Sequence, residues 1–174
     1  MNVYSTSEQL LELAGIIDRH PKWWRFPVQE PVQGFLGADP VFIVGDQPST
    51  SPWGPDHPNR QAFYGLLEKI GASNFHLTDI YKRRGKSSEL RKCLPPDLKP
   101  LPTDFSEHLM FFKKEVALLR PTRIVALGEI AQILLSLHFP ELKPIRRMWH
   151  FAYAVQQGKL DQYEDNMRSA IWGA

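Results

Sequence analysis

The side chains best suited to chemistry stand just after short apolar runs. Asp46 and Gln47 follow Val41-Phe42-Ile43-Val44-Gly45, Asp79 stands near the end of Phe75 to Ile80, and His150 lies between Trp149 and Phe151. A carboxylate can polarise a water molecule, an amide can only hold one by hydrogen bonds, and an imidazole can donate a hydrogen bond whether neutral or charged. Each has a plainer alternative: Asp46 as a turn-former after a strand, Asp79 as the cap of a turn before Ile80-Tyr81, and His150 as a satisfied structural residue. Lys82, Arg83, Arg84 and Lys86 fall within five residues, and Arg146 and Arg147 are adjacent. A net charge of +2 is too small to argue for nucleic acid, but a phosphate-binding surface needs local density rather than a high total. The alternative is a solvated basic loop. Pro48-Ser49-Thr50-Ser51 offers short hydroxyl and backbone donors, or an ordinary surface loop. Phe63, near Leu66, Leu67 and Ile70, is either an aromatic platform or a core side chain, and Tyr64 is the neighbour able to exchange roles with it.

The 174 residues suit a single domain spanning 1–174. Hydrophobic residues at 43% and charged residues at 23% describe a globular chain rather than a disordered one. No apolar run approaches the roughly 20 residues that span a bilayer. The start, MNVYSTSEQLLELAG, does not read as a signal peptide, so a cytoplasmic address is expected. Cys93 is the only cysteine, which excludes an internal disulfide, a CxxC zinc site and a four-cysteine cluster within one chain.

The elements that must position these residues alternate. Ser5 with Glu8 and Thr6 with Gln9 offer capping boxes for a first helix that runs to His20-Pro21. A Trp- and Pro-bearing connection leads to a buried strand at 41–44. The loop from Asp46 to Pro58 holds four prolines and is irregular. Helical spacing resumes from Asn59 to Ile70 and stops at Gly71. Phe75 to Ile80 reads as a second strand, and Leu94 to Pro102 as irregular. A helix over Phe105 to Leu119 must end before Pro121. Arg123 to Leu127 is a third strand, Glu129 to His138 a helix, Pro144 to Met148 a fourth strand and Leu160 to Ile171 a closing helix. Strands separated by such helices predict an α/β fold, a three-layer α/β/α sandwich around a mainly four-stranded parallel sheet. Ligands of such sheets bind beyond the carboxyl ends of the strands. The loops from Asp46, Asp79 and Trp149 therefore belong on one rim, with the loop after Gly128 nearby.

These rim segments carry a resemblance. VFIVGDQPSTSPWG resembles the first motif of uracil-DNA glycosylases, an apolar strand ending in Gly-x-x-Pro. NRQAFYGLL resembles the segment whose aromatic stacks on the extruded base. FHLTDIYKRRGK is similar to the strand whose Asn reads the base edge, followed by a basic stretch. LLRPTRIVALGEIA resembles the third strand and helix start, and MWHFAYA the closing motif that usually begins His-Pro. The match runs in order over roughly Val41 to Ile171. The chain departs from the family in lacking the four cysteines of its cluster-bearing members. Gln47 stands where Asp, Asn or Ala is common, Asp79 where Asn reads the base, and Phe151 follows the histidine in place of Pro.

The resemblance implies a monomeric, monofunctional DNA glycosylase of base excision repair, using no metal or redox cofactor, that swings a damaged base out of the stack and hydrolyses its N-glycosidic bond. It makes Phe63, with Tyr64 as its substitute, the stacking platform. His150 becomes the donor that stabilises charge on the departing base, with Asp46 or Gln47 orienting water. Ser49, Ser51, Lys82, Arg83, Arg84 and Lys86 would grip phosphates, and Phe151 or Tyr153 would wedge into the vacated stack. An ionised Asp79 is acceptor-only and suits donor-rich base edges, whereas a protonated one imitates Asn. Uracil and deaminated purines both stay open as substrates. Two other classes remain: a nucleic-acid-binding relative without turnover, and a nucleoside N-glycosidic hydrolase.

Overall fold

The computed structural model describes residues 6–173, which leaves the capping box of Ser5 outside the described residues. Helix α1 (Thr6–Arg19) precedes strand β1 (Asp39–Gly45), helix α2 (Pro58–Lys69) and strand β2 (Phe75–Asp79). Helices α3 (Ser87–Arg91) and α4 (Phe105–Leu119) lead to β3 (Arg123–Leu127) and α5 (Gly128–His138). Strand β4 (Ile145–Met148), α6 (Phe151–Gln156) and α7 (Leu160–Trp172) follow. The strands form one all-parallel sheet in the order β2-β1-β3-β4, so the expected α/β architecture is present.

The sheet is covered on both faces because its strands are apolar on both faces. Ile43, Leu77, Val125, Leu127 and Met148 pack with α2, α6 and α7. Phe42, Val44, Ile124 and Ala126 pack with Phe105 and Phe112 of α4 and Leu134 and Leu135 of α5. Burying each of these Val, Leu, Ile, Phe and Met side chains is worth about 1.5–3 kcal/mol. Local chemistry sets the helix ends. Pro58 occupies the first turn of α2, where its missing N–H costs nothing. Arg120 closes α4 in the left-handed region at φ 46, since Pro121 bars continuation.

Two elements escape sequence periodicity. Helices α3 and α6 have five and six residues, fewer than two turns, so no apolar face repeats. The segment after Trp149 is therefore largely helix α6 rather than a loop.

Strand order sets where a ligand can bind. The chain after β1 turns to β2 on one side, and the chain after β2 crosses back to β3 on the other. The crevice between β1 and β3 is the switch point at which open parallel sheets take ligands.

Candidate functional site

A cavity of about 280 Å³ opens at that end of the sheet. Gly45 of β1, Asp79 of β2 and Leu127 of β3 form its floor, and His150, just past β4, forms a wall. Phe63 reaches it from α2. Phe63 is 2% exposed and belongs to the core, so it is a core residue that also borders the cavity. Phe151 supports its ring at 5.5 Å. Phe63 and His150 thus enclose a common space.

The imidazole of His150 has a fixed hydrogen-bonding pattern. Its Nδ1 accepts the Ala152 N–H at 3.2 Å as the cap of α6. A backbone amide only donates, so the neutral ring carries its proton on Nε2. Protonating Nδ1 would destroy the cap. The packed surroundings lower the His150 pKa, opposed by Asp46, although the residue as a whole is exposed. This is an imidazole held neutral with a donor to offer.

Asp79 is 4% exposed and lines the cavity. It pairs in register with Gly45, and a Cβ on Gly45 would lie 2.1 Å from Asp79 Oδ1. Only glycine fits beneath this carboxyl. Asp79 Oδ2 is buried without a hydrogen-bond partner among the described residues. Burial, then the Asp46 charge, push its pKa well above the ordinary carboxylate value, and Lys82 opposes them. The neutral acid is favoured.

Asp46 is buried behind His150, against an adjoining cavity of about 320 Å³ that shares Ser87, Leu127, His150 and Ala152 with the first. Burial raises its pKa, while a hydrogen bond with Ser87 and the nearby His150 lower it. Its Oδ2 has no partner among the described residues. His150 thus separates a base-sized chamber from one holding a carboxyl group. Gly128, at φ +86, lies under His150: a Cβ there would come 3.3 Å from the His150 Cβ.

Four of the residues expected at the site are placed otherwise. Gln47 is buried against Gly85, whose Cβ would fall 2.6 Å from Gln47 Oε1, and it lines neither cavity. Tyr64 is buried outside the cavity wall, its hydroxyl donating to the Pro27 carbonyl at 2.8 Å. Phe151 is packed between Phe63 and Tyr163 and is no wedge; the exposed aromatic there is Tyr153, at 43%.

Lys82 is the largest correction. It is fully buried on the α4 face of the sheet, with Nζ 2.6 Å from Glu115 Oε1 and donating to Thr78 Oγ1 at 2.8 Å and to the Asp79 carbonyl. His76 Nε2 meets the other Glu115 oxygen at 3.1 Å. Burial alone would raise the Glu115 pKa, but Lys82 and His76 bring it below the ordinary value. Lys82 cannot grip a phosphate.

The remaining expected contacts stay near the rim. Arg84 stacks over Trp24 at 5.0 Å and donates through Nη1 to the Ser49 and Ser51 carbonyls at 2.8 and 2.7 Å, fastening the Ser loop. Ser49 and Lys86 are exposed, and Ser51 is half-buried. Arg83 is part-exposed, 3.6 Å from Asp104.

Sequence reasoning missed Trp24, Phe26, Trp53 and His57 on the cavity wall. Trp24 and Phe26 arrive because the Trp24 N–H donates to the Lys82 carbonyl at 2.8 Å, a pairing across 58 residues with no local signature. His57 Nδ1 accepts the Asn59 N–H at 3.2 Å while Nε2 lies 3.4 Å from Ser51 Oγ. It is thus a second capping imidazole with its proton on Nε2. Histidine is not among the favoured caps, so its neighbours gave no hint.

No protein-family model matches the chain, and no curated protein matches it either. Among the described residues, no helix is long and apolar enough to cross a membrane, and no group of three or more His, Cys, Asp or Glu side chains could hold a metal ion.

Proposed function

We propose that the cavity takes a swung-out nucleobase and that the chain is a DNA glycosylase hydrolysing the N-glycosidic bond. The observation that carries the proposal is the arrangement around His150: an imidazole with its proton on Nε2 and the Phe63 side chain line one chamber, with a buried carboxyl group on the adjoining one. Phe63 stacks on the base, at about 1–3 kcal/mol for such contacts. As the bond from sugar carbon to base nitrogen breaks, its electron pair passes to the base. The His150 Nε2–H stabilises that charge, an effect worth about 2.7–4 kcal/mol at comparable donors. Water attacks the sugar carbon, and its proton passes to Asp46 in the carboxylate form.

A second reading, a nucleoside hydrolase, is favoured by the burial of Lys82 and the tethering of Arg84 to loop carbonyls. These leave Arg83 and Lys86 as the outward cations of the basic run, and a free nucleoside needs no phosphate grip.

The experiment incubates the protein with oligonucleotides carrying uracil, hypoxanthine, xanthine or a thymine mismatch and cleaves abasic sites with alkali. Strand scission that His150→Ala abolishes supports the glycosylase. Turnover of free nucleosides alone supports the second reading. Retarded mobility without scission identifies a binding protein that lacks turnover.

A further inference from the structure

Residues 80–85, directly after β2, are stitched to two other segments that reach the cavity. The Ile80 and Tyr81 N–H groups donate to the Gly45 and Asp46 carbonyls, each at 3.0 Å, and the Gly85 N–H donates to the Pro48 carbonyl at 3.0 Å. On the other side the Lys82 carbonyl accepts the Trp24 N–H at 2.8 Å, and Trp23 pairs antiparallel with Arg83 in a β-bridge. Trp24, Gly45 and Pro48 all line the cavity. Lys82 lines neither cavity, yet it is the residue that anchors this segment from beneath. Its backbone N–H donates to His108 Nδ1 at 3.0 Å. Its side chain folds back over the end of β2, where the ammonium meets Thr78 Oγ1, the Asp79 carbonyl and Glu115 Oε1. An ammonium has three donors, and three oxygens stand within reach. A buried ion pair adds little net stability over apolar side chains of similar volume. Its bonds are directional, however, and a satisfied network holds one geometry where apolar packing tolerates several.

We propose that Lys82 is a positioning residue of the cavity: its buried ammonium, clamped by Glu115 of α4, sets residues 80–85 and thereby the spacing between the Asp46 loop and the wall at Trp24. Lys82 acts through its own carbonyl and through the segment that carries it, and touches no ligand. Arg84, two residues on, extends the same device to the rim, where it stacks over Trp24 and holds the Ser49 and Ser51 carbonyls. Loss of the ammonium contacts frees the segment to drift, and the Trp24 wall and the Asp46 loop drift with it. A displacement of about 1 Å at reacting groups costs about 100-fold in rate.

The kinetic consequence rests on the proposal that the cavity holds a base, and the test separates the two. Three full-length proteins are compared: wild type, Lys82→Met, and Lys82→Met with Glu115→Gln. The second substitution removes the stranded charge and keeps an oxygen for His76, so the double variant should melt above Lys82→Met. Amide hydrogen exchange, followed by nuclear magnetic resonance, reads the segment without any ligand. The Trp24, Tyr81 and Gly85 amides of the double variant should exchange at least tenfold faster than in wild type, while the Ile43 and Val125 amides of the sheet keep their rates. Base release from the four oligonucleotides should fall about 100-fold in kcat/KM and stay low although melting recovers. A role confined to stability predicts the opposite, with exchange and kcat/KM returning together with the melting temperature, and that result overturns the inference. If the double variant does not fold, Thr78→Val removes one ammonium contact at constant shape. It should speed the same three amides about tenfold, the weight of one hydrogen bond to a charged group; unchanged rates overturn the inference. A wild-type chain that releases no base removes the proposed function, and the exchange rates then decide the role of Lys82 alone.

Discussion

Replacing Lys82 by alanine distinguishes a surface cation from a buried one. In the structure the ammonium is enclosed with Glu115 at 2.6 Å, and Glu115 also meets His76 at 3.1 Å. Removing one partner of a buried pair strands the other, at about 3–5 kcal/mol. For a chain of this size 1 kcal/mol is about 2–4 °C in Tm, so Lys82→Ala should melt roughly 6–20 °C lower. The pH dependence carries a sign. Glu115 has a folded pKa below its ordinary 4.5, so the pair's stabilisation is complete above that value and is lost as pH falls through the folded one. Without Lys82, burial dominates and Glu115 prefers to be neutral, so Lys82→Ala should recover stability relative to wild type on acidification. Urea denaturation at pH 7 and pH 4.5 reads both effects. A ΔΔG within about 0.5 kcal/mol, the range of ordinary surface substitutions, would refute the buried assignment. So would a destabilisation that deepens in acid.

His150 should give base release an acidic limb with an apparent pKa below the ordinary 6.5, because its shift is downward and its neutral form is the donor described; a limb at or above 6.5 in a pH–rate profile contradicts the cap argument. Gly45→Ala puts a methyl 2.1 Å from Asp79 Oδ1 and should cost about 1–3 kcal/mol as overpacking while weakening base binding; unchanged melting and affinity would show that the carboxyl does not rest there. Lys86→Ala should weaken DNA binding evenly across sequences and lower the salt slope by about 1, measured by fluorescence anisotropy at several salt concentrations. A slope that stays unchanged removes Lys86 from the interface.

Much of the fold was legible because long apolar periods report burial directly. The expected helix over Phe105 to Leu119 has those bounds in α4, and the strand over Arg123 to Leu127 is β3. Short elements were hidden: α6 has too few residues for a repeating face, yet it makes His150 a cap and fixes its proton. The basic run misled in a different way. Consecutive cations reveal local charge but not which of them turns inward, and Lys82 is drawn in by Glu115, 33 residues later on another element. A longer separation, 58 residues between Trp24 and Lys82, hid Trp24 and Phe26. Asp46, Asp79 and His150 could be placed at one end of the sheet because strand ends of a parallel sheet converge, which is a property of topology rather than of any one residue, whereas Phe63 reaches the cavity from α2.

Three of the candidate side chains rest directly on bare backbone: Asp79 over Gly45, Gln47 over Gly85 and His150 over Gly128. The depth of the chamber is therefore set by atoms that are missing as much as by those that are present. Exchanging a lining side chain leaves these supports intact, whereas one added methyl beneath Asp79 or His150 presses on a side chain that lines the chamber. Attempts to redirect the pocket to other ligands should vary the walls and leave Gly45 and Gly128 untouched.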